Sequence, residues 1–187
     1  MQLLIPILSD TIYSMQNNYI STELIIAIFS EYTLTWDGIH GITHWARVME
    51  NGLRLAELNG ADKEIVALFA VFHDCKRQNE GRDDDHGKRG GDFAISLKED
   101  LLNLSEDRLD LLYTACAGHT AGKTKGDITV RTCWDADRLD LYRVKIKTDP
   151  DKLCTVEAKQ PDIMRWAEKR AKDRYSPEIV DIWKKFI

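Results

Sequence analysis

Residues 64–77 read EIVALFAVFHDCKR, an apolar run that ends in a histidine and an aspartate, His73 and Asp74. Asp62 precedes the run as a helix cap, and the apolar residues on most faces predict a buried central helix over residues 62–74. Burying an imidazole beside a carboxylate costs free energy unless both groups are satisfied. These two residues therefore form either a hydrogen-bonded structural pair or part of a metal site.

Helical patterns on both sides of this run predict an all-α fold. Apolar spacing, caps and first-turn prolines predict further helices over residues 21–33, 41–58, about 90–98, 106–118, 129–143, 161–173 and 178–186. Asn59-Gly60 should end the second of these with a left-handed cap. The segments 76–91 and 145–160 are typical of loops. We expect one domain over residues 1–187, with the helices after residue 161 packed on the rest.

The composition narrows the class of partner. The chain has 187 residues and a formal net charge of −5, which disfavours nucleic acid as the main partner. Its four cysteines form no C-x-x-C pair, which disfavours a thiolate zinc site and predicts reduced thiols in a cytoplasmic protein. The apolar start, MQLLIPILSD, is too short and poorly flanked for a signal peptide or a membrane span, so we expect no membrane partner.

Histidines and aspartates recur near the predicted helices. His40 and His44 are four residues apart and share a face in a continuous helix. Alternatively, His40 precedes the helix, because a glycine follows it. The later stretch TCWDADRLDLYR, residues 132–143, alternates aspartates with apolar residues, and Asp137 and Asp140 can share a helix face.

The order of a histidine, a His-Asp pair and an aspartate on three helices resembles the HD-domain superfamily of metal-dependent phosphohydrolases. The segments that carry the resemblance are HGITHWARV with His44, VFHDCKR with His73 and Asp74, and WDADRLDL with Asp137. DADRLD, IHGITHWARV and DHGKRGGDFA are also similar to segments of a small uncharacterised bacterial subgroup. The resemblance covers roughly residues 40–155 and implies an HD-domain-like helical bundle with a metal site between core helices.

In this resemblance the metal ligands are His44, His73, Asp74 and Asp137. Two imidazoles and two carboxylates suit Mn²⁺, Fe²⁺, Co²⁺, Ni²⁺ or Zn²⁺ better than Ca²⁺ or Cu⁺, and Mg²⁺ is also compatible. Four protein ligands on an ion that prefers six leave room for water and substrate. Water acidified by the ion would attack phosphorus. The alternative is that His73 and Asp74 orient each other without an ion.

Two more histidines raise the question of whether the site holds one ion or two. In superfamily members with two metals, extra histidines lie between the His-Asp pair and the last aspartate, and His86 and His119 fall in that interval. The resemblance implies that Asp74 would then bridge the two ions. Alternatively, one or both histidines contact substrate phosphate, or His86 is solvated in its loop and His119 stabilises a helix C-terminus.

Basic and acidic neighbours of these residues are candidates for contact with a small phosphorylated substrate. Arginine can bind a phosphate through two parallel hydrogen bonds, and lysine acts as a point charge. The phosphate candidates are Arg77, Lys88, Lys76 and Arg138. The candidates for catalysis and proton transfer are Asp74, Asp135, Asp140 and His119. Each basic residue alone could instead lie on a solvated face, and Arg138 could pair with a nearby aspartate.

The resemblance favours hydrolysis of a nucleotide or another small phosphate ester. Guanosine-tetraphosphate hydrolases of the superfamily have an acidic Glu-Asp pair after the His-Asp motif, whereas this chain has the basic sequence HDCKRQNEG. The Gly-Tyr-Pro motif of the cyclic-di-GMP phosphodiesterases is also absent. Two alternatives remain open: a di-iron oxygenase on the same ligand plan, and a non-catalytic, metal-stabilised sensor or binding module.

Overall fold

The structure is a computed structural model that describes residues 19–187. Within these residues it contains α-helices and short 3-10 turns and no β-strand. The helices are α1 (Thr22–Glu31), α2 (Ile42–Asn59), α3 (Lys63–Phe72), α4 (His86–Ser96), α5 (Lys98–Leu101), α6 (Glu106–Gly118), α7 (Ile128–Arg138), α8 (Pro161–Lys172) and α9 (Ile179–Trp183). The 3-10 turns are Leu141–Val144, Pro150–Lys152 and Lys184–Phe186. The all-α prediction is therefore confirmed. The apolar start of the chain lies outside the described residues.

Capping residues set several helix ends where the sequence predicts them. Ser21 accepts a hydrogen bond from the amide of Leu24 at the start of α1, and Asp62 accepts from two amides at the start of α3. Gly60 ends α2 with a φ of +74°, in the left-handed region that favours glycine. Pro161 occupies the first position of α8, where its missing N–H costs nothing.

Helix α3 lies at the centre of the domain. Its residues from Ile65 to Phe72 are all buried, and it packs against α2, α6, α7 and α4. Fully burying side chains such as Phe69 or Leu68 contributes about 1.5–3 kcal/mol each. The described helices share one main core, and a smaller cluster that includes Ile163 and Ala167 of α8 adjoins it. The helices after residue 161 therefore pack on the bundle.

Helix α4 begins at His86, inside the segment that was predicted to be a loop. The glycines of α4 do not form a loop; they allow this helix to pack closely against neighbouring helices. A Cβ atom at Gly90 would lie 2.1 Å from the carbonyl oxygen of Phe72, and one at Gly91 would lie 2.8 Å from the ring of Tyr113. The absence of these side chains brings α4 against the end of α3 and against α6. The start of α4 is thereby placed beside His73.

Helix α7 ends earlier than predicted, at Arg138 rather than at residue 143. A 3-10 turn over Leu141–Val144 follows, and it ends at Lys145 with a φ of +64°. The chain therefore turns away from the helix axis just after the DADRLD segment. Asp140 lies in this reversal and not on the face of a continuous helix. The last predicted helix is also shorter, because α9 ends at Trp183 and continues as a 3-10 turn.

None of the helices formed by residues 19–187 combines the length and the apolar character that crossing a membrane would require.

Candidate metal centre

Four histidines and two aspartates converge at one end of α3. His73 is the residue after the last turn of α3, and Asp74 follows it. The other histidines are His44 near the start of α2, His86 as the first residue of α4, and His119 directly after α6. All four histidines and Asp74 are buried. Asp137 on α7 is the more accessible member, with 14% of its side chain exposed.

One group of ligand atoms surrounds the imidazoles of His44 and His73. Their Nε2 atoms are 3.1 Å apart, and Oδ2 of Asp74 lies 3.6 Å from each of them. Oδ1 of Asp137 lies 3.4 Å from Nε2 of His44 and 4.0 Å from Nε2 of His73. The structure thus brings together the four residues predicted to be metal ligands. We call them the first ligand set.

A second group of ligand atoms lies on the other side of Asp74. Nε2 of His86 and Nε2 of His119 are 2.9 Å apart. Oδ1 of Asp74 lies 3.0 Å from the first of these nitrogens and 3.8 Å from the second. We call His86, His119 and Asp74 the second ligand set. Because Asp74 presents a different oxygen to each set, its carboxylate has the placement of a bridging ligand.

Hydrogen bonds fix the tautomer of all four imidazoles in the same way. Each Nδ1 faces an oxygen that can only accept, so Nδ1 carries the hydrogen and Nε2 carries the lone pair. The acceptors are Oδ2 of Asp140 for His44 at 2.7 Å, the carbonyl of Ala70 for His73 at 3.0 Å, the carbonyl of Cys116 for His119 at 2.7 Å, and the carbonyl of Asp83 for His86. For His73 and His119 these acceptors are carbonyls of the last helical turn, which lack a partner within the helix.

This donor set fits a divalent cation. In each ligand set two lone pairs face each other at about 3 Å, which is repulsive unless a positive charge lies between them. Burial lowers the pKa of His73 to about 3 and also lowers the pKa of His119, so both imidazoles rest in the neutral form near neutral pH. Oδ1 of Asp137 is buried and has no hydrogen-bond partner among the described residues. A metal ion in the first ligand set satisfies this oxygen together with the Nε2 lone pairs of His44 and His73.

The two carboxylates at this centre are ionised. Burial alone would raise the pKa of Asp74, but the neighbouring His73, His44 and His86 lower it well below its ordinary value. Burial opposes the ionisation of Asp137 in the same way. Arg143 and the histidines bring its pKa down to about 2. Both side chains therefore present charged oxygens, the form that binds a metal ion.

Asp140 lies behind His44 rather than at the centre. It accepts the hydrogen bond from Nδ1 of His44, and it also accepts hydrogen bonds from Nε of Arg47 at 2.7 Å and from Nη2 of Arg47 at 3.0 Å. Burial would raise the pKa of Asp140, but these bonds lower it. Asp140 therefore orients the imidazole. Arg47 was not among the predicted site residues, although it follows His44 by three residues and so lies on the same face of α2.

The structure does not bring Asp135 to the centre. Its carboxylate accepts hydrogen bonds from the amide of Cys154 at 2.7 Å and from the amide and hydroxyl of Thr155, each at 2.8 Å. Burial raises the pKa of Asp135 in spite of these bonds. Its contacts attach the segment after the Pro150–Lys152 turn to α7. This is a structural role, distinct from the proton transfer that the sequence suggests.

The four basic residues predicted to contact phosphate lie in different places. Arg77 reaches the centre, where Nη1 is 3.4 Å from Oδ1 of Asp74. Arg138 instead donates hydrogen bonds of 2.7 Å to the carbonyls of Lys152 and Lys123 and so holds two loops. The remaining two form ion pairs away from the centre, Lys76 with Glu31 and Lys88 with Asp92, each at 2.7 Å.

A basic residue that was not predicted to be part of the site, Arg143, lies beside the first ligand set. Nη1 of Arg143 is 3.8 Å from Oδ1 of Asp137, and Nε of Arg143 donates a hydrogen bond of 2.9 Å to the carbonyl of Ile39. In a helix that continued to residue 143, this arginine would share no face with Asp137. The 3-10 turn after α7 brings the two side chains together. The sequence pattern predicted a helix as far as residue 143, so it did not indicate that Arg143 lies beside Asp137.

His40 and Cys75 adjoin the centre without joining either ligand set. His40 precedes α2, and its Nδ1 lies 2.5 Å from Oε2 of Glu80, so the pair ties the segment before α2 to the loop after α3. The thiol of Cys75 is buried and donates to the carbonyl of Phe72 at 3.2 Å. Burial raises the pKa of Cys75, which is consistent with a packed thiol and not with a nucleophile.

Comparison with known structures supports the fold. The chain is similar to the crystal structure of a predicted HD superfamily hydrolase from an uncultured Thermotogales bacterium, with 25% sequence identity and a TM-score of 0.58. The similarity covers 88% of this chain and 90% of that one. Neither a family model nor a curated protein matches the chain. The DADRLD subgroup stays a prediction. The chain has an all-helical fold that matches an HD superfamily protein, with a buried histidine and aspartate cluster that could bind a metal ion.

Proposed function

We propose that this protein is a metal-dependent phosphohydrolase that acts on a nucleotide or another small phosphate ester. The observation that carries the proposal is the convergence of fixed Nε2 lone pairs and ionised carboxylates on one buried centre. His44, His73, Asp74 and Asp137 would hold the ion. The mixed nitrogen and oxygen ligands favour Mn²⁺, Fe²⁺, Co²⁺, Ni²⁺ or Zn²⁺, with Mg²⁺ also compatible. The similarity to a predicted HD superfamily hydrolase supports the reaction class.

The chain's own groups prepare this centre for hydrolysis. A divalent ion bound here would lower the pKa of a coordinated water and offset charge on a phosphoryl oxygen. Asp140 and the helix-end carbonyls keep the Nε2 atoms directed inward, so little reorganisation is needed on binding. His73 is fully buried, whereas 14% of the Asp137 side chain is exposed. Substrate would therefore approach from the side of Asp137.

Two arginines flank this approach and would contact the phosphate. Arg143 lies beside Asp137, and its Nη2 makes no hydrogen bond within residues 19–187, which leaves a donor for a phosphoryl oxygen. Arg77 lies beside Asp74, with Nη1 3.4 Å from Oδ1. Phosphate charge between two fixed guanidinium groups is stabilised without any rearrangement of the protein. Arg143 thereby takes the place that the sequence suggested for Lys88 and Lys76.

A neutral histidine at the centre would handle the proton. His119 is buried, and its Nδ1 is occupied by the carbonyl of Cys116, so its Nε2 can accept a proton from a water beside Asp74. The lowered pKa of His119 keeps it in the accepting form near neutral pH. Oδ1 of Asp74, the oxygen that faces His119, would position that water. Asp135 takes no part, because its oxygens are bound to the segment at residues 154–155.

The test is metal content and turnover measured on the same preparation. Protein purified without added metal should contain a divalent ion, and it should hydrolyse at least one member of a panel of nucleotides and sugar phosphates. Asp74→Asn should lose both properties and keep the far-ultraviolet circular dichroism of the wild type. A wild type that binds no metal, and that behaves the same after this substitution, would overturn the proposal. Ester binding without turnover would point to a sensor.

A di-iron oxygenase is the second candidate, and one observation favours it. Asp74 presents separate oxygens to the two ligand sets, as a ligand that bridges two ions would. This candidate predicts two irons per chain, an iron absorption band and oxygen uptake with an organic substrate. A chain that binds a single ion would contradict it.

A further inference from the structure

The guanidinium of Arg77 contacts two members of the second ligand set, His86 and Asp74. Its Nη1 is 3.0 Å from Nε2 of His86, 3.2 Å from Nδ1 of the same ring and 3.4 Å from Oδ1 of Asp74. Nε2 of His86 and Oδ1 of Asp74 are the same atoms that a second metal ion would need. Arg77 is buried, with 7% of its surface exposed. A positive charge is therefore already present where a second cation would bind.

The loop after α3 holds Arg77 in this position. Nη2 donates a hydrogen bond of 2.6 Å to the carbonyl of Gly81, and Nε donates one of 3.2 Å to the carbonyl of Asn79. Asp83 in turn anchors the loop, since it accepts from the amide of Gln78 at 2.8 Å and pairs with Arg89 at 2.6 Å. The guanidinium is thus fixed on both sides, by the loop and by the second ligand set.

We propose that Arg77 takes the place of a second metal ion, so that the chain works with one ion in the first ligand set and a fixed guanidinium in the second. This inference rests on the proposed function of the first set. An arginine side chain stays protonated in proteins, so its charge cannot be removed to admit an ion. A divalent ion in the second set would lie next to that charge and would compete with it for Asp74 and His86.

A single ion beside a guanidinium indicates the chemistry of the site. The ion would bind one phosphoryl oxygen, and the second N–H of Nη2, which the bond to Gly81 leaves unused, can donate to another. This arrangement suits hydrolysis of a phosphate ester. It does not suit an oxygenase that needs two irons, because the second iron would have to displace a buried, hydrogen-bonded arginine. The inference therefore separates the two candidate functions.

The experiment is a titration of metal-stripped protein with Mn²⁺, followed by equilibrium dialysis and electron paramagnetic resonance. The wild type should bind one ion, with any second ion weaker by about 100-fold because of the adjacent charge. Its Mn²⁺ signal should show no coupling between neighbouring ions. Arg77→Gln removes the charge and should strengthen the second binding event by about 10-fold or more and produce a coupled signal.

Two further variants make the result specific. His86→Ala in the Arg77→Gln background should abolish the gained ion and keep the first. Arg82→Gln, which removes a charge from the same loop at a side chain that is 86% exposed, should leave both binding events unchanged. If Arg77→Gln does not fold, the wild-type titration alone decides, because it measures both affinities.

Two wild-type ions of similar affinity would overturn this inference and leave the proposed function standing. If folded Arg77→Gln gains no second ion, the inference is overturned as well. Failure of the wild type to bind any ion would contradict the proposed function itself, and the inference would fall with it.

Discussion

Asp140 and His44 are 96 residues apart in the sequence, yet Oδ2 of Asp140 accepts a hydrogen bond of 2.7 Å from Nδ1 of His44. Arg47 donates to the same carboxylate and keeps it from rotating. The orientation of a ligand on α2 thus depends on a turn that follows α7. This relationship explains why Asp140 matters although it does not face the metal position.

Asp140→Asn should weaken metal binding by about 10–100-fold, the usual effect of removing a carboxylate behind a histidine ligand. The charge that supports the imidazole is lost, and Arg47 is left without its anion. Competition with a chromogenic chelator would measure the dissociation constant. Asp135→Asn is the matched control, because this aspartate is equally buried and has no contact with a ligand. Equal losses in both variants would contradict an orienting role for Asp140.

Metal binding should stabilise the fold. An ion at about a hundred times its dissociation constant adds about 2.7 kcal/mol to the free energy of unfolding. For a domain of this size, that raises Tm by roughly 5–10 °C. Asp74→Asn should remove the rise, which differential scanning fluorimetry would detect. His40→Ala should keep it, since His40 pairs with Glu80 and belongs to neither ligand set. A Tm rise that survives Asp74→Asn would place the ion elsewhere.

Arg143→Gln should reduce kcat/KM for the phosphate ester by about 10–100-fold, because a charge-assisted contact to phosphate contributes about 1.5–3 kcal/mol. The dissociation constant of the ion should change little, since Arg143 lies 3.8 Å from Asp137 and is not itself a ligand. Steady-state kinetics and metal titration together separate these effects. Arg165→Gln on the exposed side of α8 is the control for loss of charge. An equal loss of metal binding would show that Arg143 supports Asp137 instead of substrate.

The central part of the site could be predicted because the apolar run is unambiguous. Burial from Ile65 to Phe72 fixes the position of the C-terminal end of α3 in the core. His73 and Asp74 are the next two residues of the chain. His44 and Asp137 lie on two of the helices that pack against α3. Hydrophobic periodicity predicts these helices, and the resemblance to the HD-domain superfamily supplies the prediction that their ligands meet.

The rest of the site depends on contacts between distant segments, which the local sequence pattern does not predict. The segment GKRGG was predicted to be largely loop, but its glycines allow α4 to approach the carbonyl of Phe72, so His86 begins a helix. The end of α7 at Arg138 likewise depends on the turn that follows, and this turn places Asp140 and Arg143. Charge runs gave no guidance, because Arg77 and Lys76 are adjacent in the sequence and only Arg77 points into the centre.

Gly90→Ala should destabilise the protein and disturb the second ligand set. The added Cβ would lie 2.1 Å from the carbonyl oxygen of Phe72, so α4 must move, at a cost of about 1–3 kcal/mol or more. Urea unfolding would measure the loss. Gly81→Ala is the control, since its Cβ would meet Oδ1 of Asn79 at 3.3 Å on an exposed loop. Similar stability of the two variants would show that α4 tolerates a wider separation from α3.

Asp62 should contribute to stability in a way that depends on pH, because it caps the helix that positions His73 and Asp74. Burial would raise the pKa of Asp62, but hydrogen bonds from Arg108 and from the amide of Ile65 lower it below its ordinary value. The contribution is thus present above the unfolded-state pKa of about 3.9 and is lost as the pH falls through the folded-state value. At pH 7, Asp62→Ala should cost about 1–2 kcal/mol, the usual cost of losing such a cap. The difference between wild type and variant should shrink at about pH 3.5, which urea unfolding at both pH values would measure. A difference that stays constant with pH would show that shape, and not charge, is what Asp62 contributes to the start of α3.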